Sequence, residues 1–106
     1  MENLFAYGTL IDKEVQETIF GRVLEGTLDQ LKGYIVKKIT IEEEFGMTEY
    51  PIITATQNPE DNISGILYQL TQRELQLADT YEGIHYKRIQ VELNSNEIVW
   101  VYSASI

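Results

Sequence analysis

A chain of 106 residues has room for one domain with one hydrophobic core, and its 43% hydrophobic and 10% aromatic residues are typical of a folded globule. The sequence contains no cysteine, which excludes disulfides, thiolate metal sites and cysteine nucleophiles. Seventeen acidic residues against eight basic ones give a formal net charge of −9, so nucleic acid is not an expected partner.

The first half of the sequence predicts one helix among several strands. Residues 3–7 form a short apolar run typical of a buried strand, and this run stops at Gly8. Asp12 is a candidate helix cap, because an apolar stripe at helical spacing follows it and ends before Gly21. Three β-branched or aromatic runs, separated by glycine and acidic turns, predict strands at residues 23–31, 33–41 and 50–55.

The second half predicts one more helix. Thr71 and Glu74 have the spacing of a capping box, which predicts a short helix from residue 72 to about residue 79. The chain then crosses a predicted tight turn at Tyr81-Glu82-Gly83. Further strands are predicted at residues 63–70, 86–93 and 97–103, the last two being joined by a hairpin turn.

These elements predict an α+β fold in a single domain over residues 1–106. The two helices are too few for a repeated βαβ winding. We therefore expect a small mixed β-barrel, or a curled sheet, of about six to seven strands with two short helices against it.

Two segments carry candidate chemistry. A strand that ends at Gly8 and is followed almost at once by a helix leaves the N–H groups near Gly8, Thr9 and Leu10 free to hold an anion or an oxyanion. Glu82 supplies a carboxylate on the predicted turn. A main-chain cradle and one placed acid suffice for proton transfer on a small acidic substrate. The competing interpretations are a glycine that only permits a tight turn and a solvated glutamate at a helix end.

Other polar residues have simpler explanations. His85 is the only histidine, lies in a predicted loop and is expected to be exposed, and a single histidine makes no metal site. Arg88 is expected to pair with an internal acid in preference to a substrate carboxylate. The acidic run at residues 42–44 is interpreted as solvated and not as a cation site. We expect neither a metal nor an organic cofactor.

Several short motifs, in order along nearly the whole chain, resemble the gamma-glutamylcyclotransferase-like superfamily and, within it, the small AIG2-like proteins. The motifs that carry this resemblance are Tyr7-Gly8-Thr9-Leu10, Asp12-Lys13-Glu14-Val15 with Gly21-Arg22, Leu31-Lys32-Gly33-Tyr34, Tyr50-Pro51-Ile52, Ser64-Gly65-Ile66-Leu67-Tyr68, and Tyr81-Glu82-Gly83 with Tyr86-Lys87-Arg88. The sequence ends at Ile106 without the C-terminal extension of larger relatives, so we expect a pocket more open to water.

The resemblance implies both a fold and an activity. It implies a small mixed β-barrel with flanking helices that converts a gamma-glutamyl compound to 5-oxoproline and releases an amine or amino acid. It implies that Tyr7, Gly8, Thr9 and Leu10 hold the glutamyl moiety, that Tyr102 faces the same pocket, and that Glu82 is the general acid/base.

That role requires a Glu82 pKa above the ordinary value of about 4.3. Burial against aromatic neighbours would raise it, and Tyr81, Tyr86 and Trp100 are the available candidates. Two alternatives remain open: a module of the same fold that binds a small ligand without turnover, and an enzyme that transfers the glutamyl group of a larger biosynthetic intermediate.

The expected partner is a small gamma-glutamyl substrate, whose amine side the sequence does not identify. Oligomeric state is also open. No apolar run approaches the roughly 18 residues that a membrane span needs, and the sequence starts without a basic-then-apolar leader. We therefore expect a cytoplasmic protein that does not contact a membrane.

Overall fold

The computed structural model describes residues 1–105, which form seven strands, two α-helices and one short 3₁₀ turn. The predicted α+β class, with about seven strands and two helices, is confirmed. The elements in chain order are β1 (Glu2–Ala6), the 3₁₀ turn (Thr9–Ile11), α1 (Lys13–Phe20), β2 (Gly26–Lys32), β3 (Tyr34–Glu43), β4 (Gly46–Ala55), β5 (Asn62–Leu70), α2 (Gln72–Glu82), β6 (Tyr86–Glu92) and β7 (Ile98–Ala104).

The strands form one sheet of five and one separate pair. The large sheet has the order β2-β5-β1-β7-β6, in which β1 runs antiparallel to β5 and parallel to β7. Strands β3 and β4 pair with each other along their whole ten-residue length. Within the described residues they pair with no strand of the large sheet, so they do not bridge its edges. Over residues 1–105 the large sheet is therefore open and does not close into the expected barrel.

The central strand β1 explains how the layers are assembled. Its side chains alternate between the two faces, as in any strand. Leu4 and Ala6 pack into the core on the side of the helices, and Phe5 packs into the core on the other side, with Leu31 and Ile53. Burial on both faces accounts for the continuous apolar run that the sequence shows here.

Both helices have the predicted start signals. The Asp12 carboxylate accepts a hydrogen bond from the Glu14 N–H at 2.8 Å, and α1 ends at Gly21 in the left-handed conformation. At the start of α2, Thr71 and Glu74 form a reciprocal capping box. Neither helix of the described chain has the length and apolar character required to cross a bilayer.

Candidate active site

A cavity of about 340 Å³ opens where the end of β1 meets β4, β6, β7 and the last turn of α2. It brings together all the residues that the sequence analysis placed in the site. These residues are Tyr7, Gly8, Thr9, Leu10, Glu82 and Tyr102. Their proximity is a fact of the fold, and their individual roles stay predictions.

The loop after β1 lines this cavity with residues 7–10. The N–H groups of Ile11 and Asp12 donate to the main-chain oxygens of Gly8 and Thr9, at 3.2 and 3.0 Å. The N–H groups of Gly8, Thr9 and Leu10 have no acceptor within residues 1–105. Gly8 has a negative φ, and a Cβ built there would meet nothing within 4 Å. A left-handed turn therefore does not explain this glycine.

Helix α2 is longer than the sequence predicted and includes Glu82. The helix continues to Glu82 itself and does not end near Asp79, so Glu82 lies in the last helical turn and not on a separate turn. The reason is local: Gly83 is the first residue after the helix with a positive φ, and its N–H still donates to the Asp79 main-chain oxygen. Glu82 is thus held by a regular element.

The Glu82 carboxylate is half-buried and has no partner. Within the described chain, nothing donates a hydrogen bond to it and no cation pairs with it. Because burial disfavours the charged form and nothing compensates, the pKa of Glu82 is raised to about 7. Its place at the carboxyl end of a helix is also unfavourable for an anion.

Five tyrosines line the cavity with Glu82, and the hydroxyls of three of them donate their protons to other acceptors. The acceptors are the Tyr102 main-chain oxygen for Tyr7 (2.7 Å), the Pro51 main-chain oxygen for Tyr86 (2.6 Å) and the Asp79 Oδ1 for Tyr102 (2.7 Å). This arrangement explains how a carboxylate surrounded by hydroxyls has no hydrogen bond of its own.

The same surroundings keep the tyrosines neutral. Burial is the main cause, and the nearby charge of Glu82 adds to it, so the pKa of Tyr86 is raised to about 12. The pKa values of Tyr7 and Tyr102 are raised still further, again mainly by burial. Each of these hydroxyls is therefore a donor and not a base near neutral pH.

Strand β4 supplies a wall that sequence analysis missed. Glu49, Tyr50 and Pro51 line the cavity. The motif Tyr50-Pro51-Ile52 contributed to the family resemblance, but nothing in its local pattern placed it opposite Glu82. Near the loop, the Thr9 and Tyr81 hydroxyls form a hydrogen bond at 2.6 Å.

His85 is less exposed than predicted. Its side chain is 29% exposed, and its ring packs at a tilt on Tyr50, with the ring centroids 5.0 Å apart. Its Nε2 lies 3.9 Å from the carboxylate of Glu43, which also accepts a hydrogen bond from the Tyr50 hydroxyl. The expected exposure was wrong because β3 and β4 cover the loop, a contact between segments distant in sequence.

Arg88 pairs with an internal acid, as predicted. Its Nε and Nη2 donate to the two carboxylate oxygens of Asp79 at 2.6 and 3.0 Å, and its guanidinium lies 4.5 Å from the centre of the Trp100 ring. Trp100 therefore lies outside the cavity, in a separate surface depression, whereas the other two proposed aromatic neighbours, Tyr81 and Tyr86, do line it. Among residues 1–105, no three histidine or acidic side chains converge on a point that could hold a metal ion.

Comparisons with known proteins agree with the motifs. The sequence model of the family described as "Gamma-glutamyl cyclotransferase, AIG2-like" matches residues 4–105. No curated protein matches the chain. A solution structure of an Arabidopsis thaliana protein is similar with a TM-score of 0.77 and 24% identity, over 98% of this chain and 62% of the other.

Two further structures are similar at lower identity. A structure described as gamma-glutamyl cyclotransferase has a TM-score of 0.73 and 15% identity, over 97% of this chain and 66% of the other. An uncharacterized human protein has a TM-score of 0.79 and 16% identity, over 99% and 67%. The chain spans about two thirds of the length of these structures. At these identities the likeness shows the fold alone.

Proposed function

The chain belongs to the gamma-glutamyl cyclotransferase, AIG2-like family, and from this premise we propose that it converts a gamma-glutamyl compound to 5-oxoproline and a free amine or amino acid, with Glu82 as general acid/base. The observation that carries the proposal is the unpartnered Glu82 carboxylate, with its pKa of about 7, in a cavity lined by the loop of residues 7–10.

The chemistry is an intramolecular acyl transfer. The neutral α-amine of the glutamyl group attacks its own γ-carbonyl carbon, a new C–N bond closes the ring, and the bond to the leaving amine breaks. The Glu82 carboxylate takes a proton from the attacking nitrogen and, as the acid, returns one to the leaving nitrogen. The reaction changes no oxidation state, so it needs no redox partner. Both proton transfers are assigned to Glu82.

A single carboxyl group can serve both steps when its pKa lies near the working pH, because both protonation states are then populated. A pKa of about 7 meets that condition. Acid–base catalysis of this kind contributes about 10²- to 10⁴-fold. Holding the flexible glutamyl chain in a folded shape contributes further, since the reacting atoms belong to one molecule.

The loop after β1 supports the binding part of the proposal. The N–H groups of Gly8, Thr9 and Leu10 lack acceptors in the described chain, and all three residues line the cavity. They are the natural donors for the substrate α-carboxylate or for the developing oxyanion. Neutral tyrosine hydroxyls complete a polar lining without adding charge.

The test is release of 5-oxoproline, detected by mass spectrometry, from a panel of gamma-glutamyl amines and dipeptides. Glu82→Gln keeps the size of the side chain and removes its acid–base function. Glu74→Gln is the matched control, because Glu74 lies on the same helix outside the cavity. We expect release by the native protein and the control and its loss in Glu82→Gln.

Three outcomes would contradict the proposal. Release that Glu82→Gln leaves unchanged would remove Glu82 from its role. If no panel member is turned over but one binds tightly, to the native protein and to Glu82→Gln alike, the chain is a binding module of this fold. Release only from a larger acylated intermediate would identify the glutamyl-transfer alternative.

A further inference from the structure

The last turn of α2 carries two carboxylates with opposite surroundings. Glu82 has no partner in the described chain, whereas Asp79, three residues earlier, accepts two hydrogen bonds from Arg88 and one from the Tyr102 hydroxyl. We propose that Asp79 is a positioning residue that holds the hydroxyl proton of Tyr102 away from Glu82, so that the cavity carboxylate stays without a donor. The catalytic consequence rests on the proposed function, but the first test below does not.

The geometry fixes the direction of this proton. The Tyr102 oxygen lies 2.7 Å from Asp79 Oδ1, a short hydrogen bond to a charged acceptor. Arg88 holds both oxygens of Asp79 at 2.6 and 3.0 Å, and the Trp100 ring lies 4.5 Å from its guanidinium. The carboxylate therefore cannot rotate freely. Tyr102 is only 5% exposed, so water competes little for its hydroxyl.

Asp79 differs from the acceptors of the Tyr7 and Tyr86 hydroxyls. Tyr7 and Tyr86 donate to main-chain oxygens, which no substitution removes. Tyr102 alone among these three donates to a side chain. The hydroxyl proton of Tyr102 is therefore held by one replaceable residue, which does not line the cavity containing Glu82.

Without Asp79, we expect the Tyr102 hydroxyl to donate to Glu82 instead. Glu82 lines the same cavity as Tyr102, and its charge also contributes to the raised Tyr102 pKa. A hydroxyl that donates to a carboxylate stabilises its charged form and lowers its pKa. The titratable groups that face Glu82 from the surrounding elements are Tyr7 from β1, Glu49 and Tyr50 from β4, Tyr81 from α2, Tyr86 from β6 and Tyr102 from β7.

A second effect of the same substitution has to be separated from the first. Without Asp79, Arg88 is a positive charge without its carboxylate, and this also lowers the pKa of Glu82. Tyr102→Phe distinguishes the two effects, because it removes the hydroxyl and leaves Arg88 in place. The double variant Asp79→Ala/Tyr102→Phe therefore measures the share carried by the hydroxyl proton.

The experiment follows the carboxyl ¹³C resonance of Glu82 through a pH titration, with the resonance identified by its loss in Glu82→Gln. In Asp79→Ala we expect the Glu82 midpoint to fall by about one pH unit. Adding Tyr102→Phe should restore most of that change. Glu74→Gln removes a comparable arginine–carboxylate pair from the start of the same helix and should leave the midpoint unchanged.

The outcomes are decisive in both directions. An unchanged midpoint in Asp79→Ala, or a fall that is equally large with and without the Tyr102 hydroxyl, would overturn the proposal. Asp79→Asn keeps the shape of the side chain and covers the case in which alanine prevents folding. A weaker, neutral acceptor there should give a smaller fall of the same sign, and no fall in a folded Asp79→Asn would overturn the proposal equally.

The kinetic readout separates this inference from the proposed function. If the protein turns over a gamma-glutamyl substrate, the acid limb of kcat/KM against pH should move down in Asp79→Ala by the same amount as the Glu82 midpoint. If no substrate is found and the midpoint still falls and recovers as described, the positioning role of Asp79 stands while the proposed reaction falls.

Discussion

The two ends of α2 each carry a glutamate, and the surroundings of the two carboxylates shift their pKa values in opposite directions. At the first turn, Glu74 accepts two hydrogen bonds from Arg22, at 2.7 and 2.8 Å, and one from the Thr71 N–H, and its pKa is lowered to about 2. At the last turn, Glu82 accepts none from residues 1–105, and burial raises its pKa to about 7. The helix dipole adds to the pKa shift at each end, because it favours the anion at Glu74 and opposes it at Glu82.

The difference between the two glutamates lies in the donors that surround each carboxylate. A carboxylate that is fully satisfied anchors the helix and is unreactive near neutral pH, because its charge is stabilised by fixed donors. A carboxylate deprived of donors destabilises the fold when ionised and can exchange protons near neutral pH. Substitutions at one end of the helix can therefore be compared with substitutions at the other end, which serve as controls.

The largest expected effect is on turnover. Glu82→Gln should reduce 5-oxoproline release by about 10²- to 10⁴-fold, because the acid–base group is gone. Glu74→Gln should retain the native rate, since Glu74 lies outside the cavity. The rates are compared at the pH where the native protein is most active, by mass spectrometry. Similar losses in both variants would mean that the two ends are not functionally distinct.

The next effect is on stability at the cavity end. The folded-state pKa of Glu82 lies above its unfolded value of about 4.3, so ionisation destabilises the fold, with no cost below pH 4 and a growing cost as the pH rises to about 7. Glu82→Gln should therefore raise the free energy of unfolding by about 1–3 kcal/mol at pH 8 relative to its effect at pH 4. Urea denaturation at the two pH values measures this. A pH-independent difference would contradict the account.

At the start of α2, the contribution of Glu74 to stability has the opposite pH dependence. The folded-state pKa of Glu74 lies below its unfolded value, so its contribution is present above about pH 4.3 and is lost as the pH falls towards 2. Glu74→Gln should destabilise the protein by about 1–2 kcal/mol at neutral pH, a value reduced by the 45% exposure of the Arg22 side chain. The loss should shrink in acid, and urea denaturation at pH 7 and pH 3 tests both statements.

The smallest expected effect concerns the cap. Thr71→Ala removes the hydroxyl that accepts the Glu74 N–H at 3.1 Å, and should cost about 1 kcal/mol. Thr71→Ser, which keeps the hydroxyl, should cost much less. Neither variant should change 5-oxoproline release at a temperature where both are folded. A loss of turnover in Thr71→Ala would show that the start of the helix is coupled to the cavity.

Local signals explain which parts of the fold the sequence predicts. Helix caps depend on residues three or four apart, and so Asp12 and the pair Thr71 and Glu74 are readable from sequence. The apolar run of β1 is readable for the same reason. The separate pairing of β3 with β4 is not, because open and closed sheets contain the same alternating strands and differ only in long-range pairing.

The candidate site was likewise predicted only in part from the sequence. The family motifs identified Glu82 and the loop of residues 7–10, and the fold gathers them around one cavity. The β4 wall and the packing of His85 on Tyr50 were missed, since both depend on contacts across more than 30 residues. The hydrogen bond from Tyr102 to Asp79, which spans 23 positions, has no signature in the sequence of either segment.

One titration tests the comparison most directly. The carboxyl ¹³C resonances of Glu74 and Glu82, recorded together in the native protein and identified from Glu74→Gln and Glu82→Gln, give both pKa values in one sample. The account predicts midpoints near 2 for Glu74 and near 7 for Glu82. A Glu82 midpoint at the ordinary value of about 4.3 would contradict it, because a carboxyl group that is fully ionised at neutral pH is not poised to act as both base and acid.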